Sequence, residues 1–181
     1  DQEQILGPHH PHTLASRGNL AYAYRDAGNL DQAITLYEQT LTDRERILGP
    51  RHPDTLASRN NLAAAYQDAG NLDQAITLYE QTLADTEQVL GPRHPQTLAS
   101  RGNLALAYRD AGDLDQAIPL FEQTLADTEQ VLGPRHPQTL ASRGNLALAY
   151  RDAGDLDQAI PLFEQTLADT EQVLGPRHPQ T

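Results

Sequence analysis

The apolar positions of the chain recur at helical spacing. They form two successive sets, one within residues 14–27 and one within residues 30–48, in which most separations are three, four or seven residues. This spacing is typical of one buried face of an α-helix. The first face consists of Leu14, Leu20, Ala21, Tyr24 and Ala27, and the second of Leu30, Ala33, Ile34, Tyr37, Leu41 and Leu48. No window alternates apolar and polar residues for long enough to indicate a strand, so we predict an all-α fold.

Glycine and proline separate the two helices from each other and from the next pair. Gly28 stands where the first helix would end on a residue with positive φ, and Asn29 is a good N-cap for the second helix. Gln32, three residues after this cap, completes a capping-box pattern. Gly49 is predicted to end the second helix, and Pro50 prevents its continuation. A following His-Pro pair places a proline in the first turn of the next helix.

The whole pattern repeats every 42 residues. Leu-Gly-Pro recurs at this interval, at Leu6, Leu48, Leu90, Leu132 and Leu174. The stretch 80–139 is identical to 122–181, which indicates a recent duplication, homogenisation of the copies, or engineering. A helical hairpin cannot bury its apolar face alone, so the four hairpins are predicted to stack into an α-solenoid. We predict one domain over residues 1–181, with helix pairs at about 12–48, 54–90, 96–132 and 138–174 and partial repeats at 1–6 and 175–181.

Two kinds of residue break the local rules for helices. Pro119 and its copy Pro161 lie inside the predicted second helix. A proline there removes one backbone hydrogen bond, so we expect a kink or a loosened first turn. Gly18, Gly102 and Gly144 lie in the middle of the first helix, where Gly costs about 1 kcal/mol relative to Ala. They either permit the close approach of another helix or leave space on an exposed inner surface.

The motif Leu-Ala-x-x-Tyr, with a small residue nine positions after the Tyr and an aromatic residue four further on, resembles the tetratricopeptide repeat. In the first period these residues are Leu20, Ala21, Tyr24, Ala33 and Tyr37. The ordinary repeat has 34 residues, and the longer form here, with Leu-Gly-x-x-His-Pro, is similar to the kinesin light chain type. Similar arrays occur in bacterial and fungal signalling NTPases of the STAND class. The resemblance implies a right-handed superhelical α-solenoid of four helix-turn-helix repeats. It also implies a non-catalytic, cytoplasmic scaffold for proteins or peptides, such as the sensor arm of a signalling protein.

By this resemblance, the first helix of each pair lines the concave groove that binds a ligand. Kinesin light chains often carry Asn at a position that helps to hold the backbone of a cargo peptide, and Asn60 matches it, whereas the other repeats have Gly. The further groove positions are Tyr22, Ala64, Leu106 and Leu148, then Arg25, Gln67, Arg109 and Arg151, and the Asp after each of the last four. We expect an extended peptide with apolar side chains against Leu106 and Leu148 and a carboxylate paired with Arg109 or Arg151. In the alternative, each Arg only pairs with its neighbouring Asp.

The first helix also departs from the family at its fourth position, where a large apolar residue is common. This chain has Arg17, Arg59, Arg101 or Arg143 there. We expect the aliphatic stems of these side chains to pack, while the charged heads reach water or an acidic neighbour.

Composition narrows the range of functions. The chain has a net charge of −12, 13 basic residues that are all Arg, and no Cys. The acidity argues against a nucleic-acid partner, and no apolar run approaches the roughly 18 residues of a membrane span. Four His residues are predicted to be structural: His52, His94, His136 and His178. Three others are close enough to bind a metal adventitiously: His9, His10 and His12. We therefore predict no enzymatic activity, no cofactor and no biological metal site.

Two alternatives to the binding scaffold remain open at this point. The chain starts and stops at the same phase of the repeat and shows no polar capping helix, so we expect it to be an excerpt of a longer array. Two open ends of matching geometry favour head-to-tail self-association, although the net charge opposes it. A recently amplified or engineered array that serves only as a rigid spacer is the second alternative.

Overall fold

The computed structural model describes residue 7 and residues 9–174 of the chain. Within this part the regular structure consists of eight α-helices and contains no strand, so the prediction of four all-α hairpins is confirmed. The helices are α1 (Pro11–Asp26), α2 (Leu30–Leu48), α3 (Pro53–Asp68), α4 (Leu72–Leu90), α5 (Pro95–Asp110), α6 (Leu114–Leu132), α7 (Pro137–Asp152) and α8 (Leu156–Leu174). We call α1, α3, α5 and α7 the first helices and the others the second helices.

Each first helix begins with a His-Pro cap. The proline occupies the first turn, where its missing N–H costs no helical hydrogen bond. The Nδ1 atom of His52 accepts a hydrogen bond of 3.2 Å from the backbone N–H of Asp54, and His94 and His136 do the same with the residue two positions further on. These three His are therefore structural, as predicted, while His178 lies outside the described residues.

The turn inside each hairpin is a Schellman motif. Gly112 has a φ of +79°, and its N–H donates to the carbonyl of Arg109 over 2.9 Å. The N–H of Asp113 donates to the carbonyl of Tyr108, also over 2.9 Å. Asp113 then caps α6 by accepting from the N–H of Gln116 over 3.3 Å. Only half of the predicted capping box is formed here, because the backbone N–H that the glutamine side chain would bind already donates to Tyr108. At α2 the side chain of the predicted N-cap Asn29 makes no capping hydrogen bond, and its N–H donates to the carbonyl of Tyr24.

The hairpins pack through alanines on both helices of each pair, together with leucines and an aromatic residue of the second helix. The chain forms two compact units, Asp1–Val89 and Leu90–Thr181, and each has this kind of core. The core of the first unit includes Ala21, Ala33, Tyr37, Leu41, Leu62 and Ala65. The core of the second includes Ala105, Ala117, Phe121, Leu146 and Ala149. The single domain over residues 1–181 stays a prediction.

The structure also decides between the two alternatives for the glycines inside the first helices. A Cβ atom built on Gly18, Gly102 or Gly144 has no heavy atom within 4 Å, so these glycines leave open space and do not serve the close approach of a helix. Helix α6 continues through Pro119 to Leu132. In the earlier repeats a Thr occupies the position of this proline, and its hydroxyl donates to the carbonyl four residues before it. None of the described helices is long and apolar enough to cross a membrane.

Candidate binding surface

The predicted groove residues of the first unit lie on α1 and α3. Tyr22 is 62% exposed, whereas Asn60, Ala64 and Gln67 are half-buried. The Nε atom of Arg25 on α1 lies 2.5 Å from a carboxylate oxygen of Asp68 on α3. This hydrogen bond, offset by burial, raises the pKa of Arg25 above its usual value. The pair joins two successive first helices at the predicted groove position.

The predicted residues of the second unit also lie on two successive first helices. Leu106 and Arg109 are on α5, and Leu148 and Arg151 are on α7. The two leucines are half-buried, and Leu106 packs against the core of the second unit. The Nη2 atom of Arg109 lies 3.2 Å from Asp110, and its Nε atom lies 3.9 Å from Asp152. The Nη2 atom of Arg151 lies 2.7 Å from the same Asp152. Each arginine is thus paired with its neighbouring Asp, so a ligand carboxylate at this position competes with Asp152.

The asparagine of each first helix was missed from the sequence as a candidate binding residue. Asn103 precedes Leu106 by three residues and Asp110 by seven, which places the three side chains on one helix face. Asn61 is exposed and has the same spacing to Ala64 and Asp68. The available signals were this spacing and the Asn that directly precedes each Leu-Ala-x-x-Tyr motif. Side-chain amides offer both donors and acceptors, so they extend what the face can bind from apolar and charged groups to a peptide backbone.

The sequence left undecided whether the charged heads of the arginines at the fourth position of the first helices are buried or exposed. Arg143 is only 1% exposed. Its Nη1 atom donates to Asp169 over 2.8 Å, and its Nη2 atom donates to Glu129 over 2.9 Å and to the carbonyl of Pro134 over 3.2 Å. The charged head reaches acidic neighbours and not water. One guanidinium therefore ties α7 to α6, to the loop that follows α6, and to α8.

The electrostatics of this cluster follow from the pairing. Burial alone lowers the pKa of Arg143, but the hydrogen bonds to Glu129 and Asp169 outweigh it and raise the pKa above the usual value. The hydrogen bond from Arg143 in turn lowers the pKa of Asp169, with a smaller effect of Arg135. The Arg–Asp pair recurs in the other repeats, where Arg17, Arg59 and Arg101 each donate to an Asp 26 residues later. Arg59 and Arg101 are buried like Arg143, whereas Arg17 is half-buried. We call the pairs of Arg59, Arg101 and Arg143 the buried arginine network and assign them to stability and not to ligand binding.

The titratable residues near the start of the chain do not converge on a metal. The Nδ1 atom of His10 accepts from the N–H of His12 over 3.2 Å and so caps α1. His9 lies 3.3 Å from Asp43 and contacts Arg46. Throughout the described part of the chain no group of three or more His, Asp or Glu side chains is arranged to hold a metal ion.

Comparison with known proteins identifies the class. The family model of the tetratricopeptide repeat matches residues 2–46, 13–85, 54–130 and 103–172, which together cover most of the sequence. The chain belongs to the tetratricopeptide repeat family. A search of curated protein sequences gives no match.

Solved structures identify the type of repeat. The nearly identical TPR-like repeats assigned to a kinesin light chain of Podosopora anserina superpose with a TM-score of 0.82, with 38% identity over 96% of this chain and 82% of that chain. A variant of those repeats with one substitution gives a TM-score of 0.84, with 37% identity over 95% of this chain and 81% of that chain. BtubC (BKLC) from P. vanneervenii shares the fold, with a TM-score of 0.80 and 21% identity over 92% and 66% of the two chains. The repeats of this chain are thus similar to the kinesin light chain-like type of the family.

Proposed function

We propose that this chain is a non-catalytic scaffold whose first helices bind an extended peptide. Tetratricopeptide repeats generally bind protein partners and act as scaffolds, and their fold is typically non-catalytic. The observation that carries the proposal is the composition of the face in the second unit. Two partly exposed leucines, Leu106 and Leu148, are flanked by Asn, Arg and Asp side chains that can pair with a peptide backbone and its charges.

The expected ligand is an acidic peptide with apolar side chains at intervals. Its apolar groups would contact Leu106 and Leu148, and one of its carboxylates would replace Asp152 beside Arg151, whose side chain is half-exposed. Arg–carboxylate pairs are often bidentate, so this exchange would give orientation as well as affinity. The proposal does not extend to a groove that continues from one compact unit to the other.

The experiment is a binding titration with a fluorescein-labelled peptide in which Leu and Glu alternate, followed by fluorescence anisotropy. The test variant carries Arg109→Gln and Arg151→Gln, because the chain itself has Gln67 at the equivalent position and therefore tolerates this residue. The expected result is at least a tenfold weaker affinity.

The matched control carries Arg93→Gln and Arg135→Gln, which remove the same two charges from exposed positions outside the first helices. This control should bind as the parent chain does. Equal losses in both variants would mean that the peptide responds only to net charge. Unchanged affinity in the test variant would contradict the assigned site.

A finer proposal concerns the protein in which the array works. The resemblance to the arrays of STAND-class NTPases supports a role as the cytoplasmic sensor arm of a signalling protein. A nucleotide-binding domain encoded in the same gene would support this role, and its absence from the complete gene would contradict it.

A further inference from the structure

A cleft in the first unit lies on the side of α3 that faces away from the predicted groove. Its volume is about 340 Å³, and two side chains of α3 and four of α4 line it: Leu62, Tyr66, Asp73, Gln74, Thr77 and Leu78. Leu62 lies about half a turn around α3 from Asn60 and Gln67, two of the predicted groove residues. The cleft is therefore a surface that the proposed function does not use.

The floor of the cleft is apolar, and the interior of the first unit supports it. Leu62 is 4% exposed and belongs to the core of this unit, and the half-buried Tyr66 and Leu78 pack against that core. The hydroxyl of Tyr66 donates to Glu38 on α2 over 2.5 Å, which holds the ring against α2. The cleft is thus open and preformed, with room for one apolar side chain.

The rim of the cleft is acidic. Helix α4 has no basic residue and four acidic ones: Asp73, Glu80, Asp85 and Glu87. The carbonyl of Asp73 accepts a hydrogen bond from Thr77 over 2.8 Å, while its exposed carboxylate forms no ion pair with the described residues. Glu38 is a second exposed carboxylate, beside Tyr66. There is no arginine among the six lining residues, so the field at the cleft attracts cations.

We propose that this cleft binds a basic segment of a partner protein, in which one apolar side chain is flanked by Lys or Arg. The apolar side chain would contact Leu62, Tyr66 and Leu78, and a flanking cation would pair with Asp73. The occupant follows from charge complementarity, because an acidic segment would meet two carboxylates at this rim. The proposal does not depend on peptide binding by the first helices, whose expected ligand has the opposite charge.

Most residues of the cleft recur in the second unit. Five of the six lining residues have identical copies in the fourth hairpin: Leu146, Tyr150, Asp157, Gln158 and Leu162. The hydroxyl of Tyr150 also donates to Glu122 over 2.5 Å, which is the counterpart of the hydrogen bond between α3 and α2. Thr77 is the exception, since Pro161 occupies its position. A titration of the whole chain would therefore add the signals of similar surfaces, and the measurement has to report on one cleft.

The chain has no Cys, so a single introduced thiol places a fluorescent label at one site. Gln81→Cys puts an environment-sensitive label on the exposed side of α4, about one turn beyond Thr77. The probe is the blocked peptide Lys-Lys-Leu-Lys-Lys, titrated to millimolar concentration at physiological salt. It should give a saturable change in the fluorescence of the label. The same peptide with Ser in place of Leu carries the same charge and should bind at least about tenfold more weakly.

Two substitutions in the labelled chain test the floor and the rim of the cleft separately. Thr77→Phe fills the cleft without a change of charge and should weaken binding of the Leu peptide at least about tenfold. Its matched control is Gln88→Phe, on the same exposed face of α4 and about 16 Å further along the helix. Asp73→Asn removes one rim carboxylate and should weaken binding about threefold, as is usual for an exposed ion pair. Its matched control is Asp54→Asn, which is likewise exposed in the first turn of a helix.

Both controls should bind the Leu peptide as the labelled parent chain does, and circular dichroism establishes that all variants keep their helices. Three results would overturn the proposal. The first is an unchanged fluorescence with the Leu peptide up to millimolar concentration. The second is equal affinity for the Leu and Ser peptides, which would mean that the cations only neutralise the acidic surface. The third is unchanged affinity in Thr77→Phe, which would place the bound peptide outside the cleft.

Discussion

The buried arginine network shows why a charged residue occupies a position that is usually apolar in this family. Arg143 has donors for Asp169, Glu129 and the carbonyl of Pro134 at the same time, whereas a lysine has one compact charge. The buried charge is stabilised because α8, α6 and the loop after α6 each hold one of its partners in place. The loss of Asp169 leaves one charged donor of Arg143 without an acceptor in a site that water does not reach.

We therefore expect Asp169→Ala to lower the free energy of unfolding by about 3 kcal/mol, measured by urea denaturation. The matched control is Glu171→Ala on the same helix, where the carboxylate is exposed and the change should stay within about 0.5 kcal/mol. Similar losses for both variants would contradict the special role of the buried pair.

The same pair predicts a pH dependence. The pKa of Asp169 is lowered in the folded chain, chiefly by Arg143, so its contribution to stability is present above the ordinary carboxyl pKa near 4. It is lost as the pH falls through the lower pKa of the folded state. The difference in stability between the parent chain and Asp169→Ala should therefore shrink below pH ~4. A difference that grows in acid would contradict this sign.

Two tyrosines report on the contact between successive hairpins. The hydrogen bond to Glu122 raises the pKa of Tyr150 to about 12, and burial together with the hydrogen bond to Glu38 raises the pKa of Tyr66 to about 12. Glu122→Gln should bring the pKa of Tyr150 down toward 10, because the neutral amide no longer opposes ionisation of the phenol. An NMR titration of tyrosine ring carbons measures both residues, and Tyr66 is the internal control, whose pKa should stay near 12.

At the scale of the helix, two glycines in one hairpin should respond to the same substitution with opposite signs. Gly102 lies inside α5 with open space around its Cβ position, so Gly102→Ala should raise the free energy of unfolding by up to about 1 kcal/mol. Gly112 has a φ of +79°, and Gly112→Ala should lower it by about 1 kcal/mol because of the strain of a left-handed residue. Urea denaturation of both variants checks the pair. Changes of the same sign would show that helix propensity at Gly102 and turn geometry at Gly112 do not determine the effect of these substitutions on the free energy of unfolding.

At the scale of the whole molecule, identical helices differ in stability because they have different neighbours. Phe121→Ala should cost about 3–5 kcal/mol, as is usual for a buried aromatic residue. Phe163→Ala, in the same local sequence, should cost only about 1 kcal/mol because its ring is partly solvated and loses fewer contacts. Both are measured by urea denaturation. Equal costs would mean that the environment of Phe163 in solution matches that of Phe121.

The sequence determined the helices, their boundaries and the class of the repeat. These features follow from local chemistry: the His-Pro cap, the glycine with positive φ and the helical spacing of apolar residues act within a few residues of each other. The period of 42 residues then fixed the number of hairpins. The positions of Tyr22, Leu106 and Arg109 on the first helices followed from the family pattern, although their role as a binding site stays a prediction.

The tertiary structure decided what each side chain contacts. The sequence shows an arginine at position 143 but not that Asp169, 26 residues later, returns to it and that water is excluded. It also cannot distinguish Phe121 from Phe163, because the 19 residues of their helices are the same. Burial is a property of the surfaces that meet, and those surfaces are brought together by the packing of separate helices. Identical sequences therefore give identical helices, while packing alone sets which of them are buried.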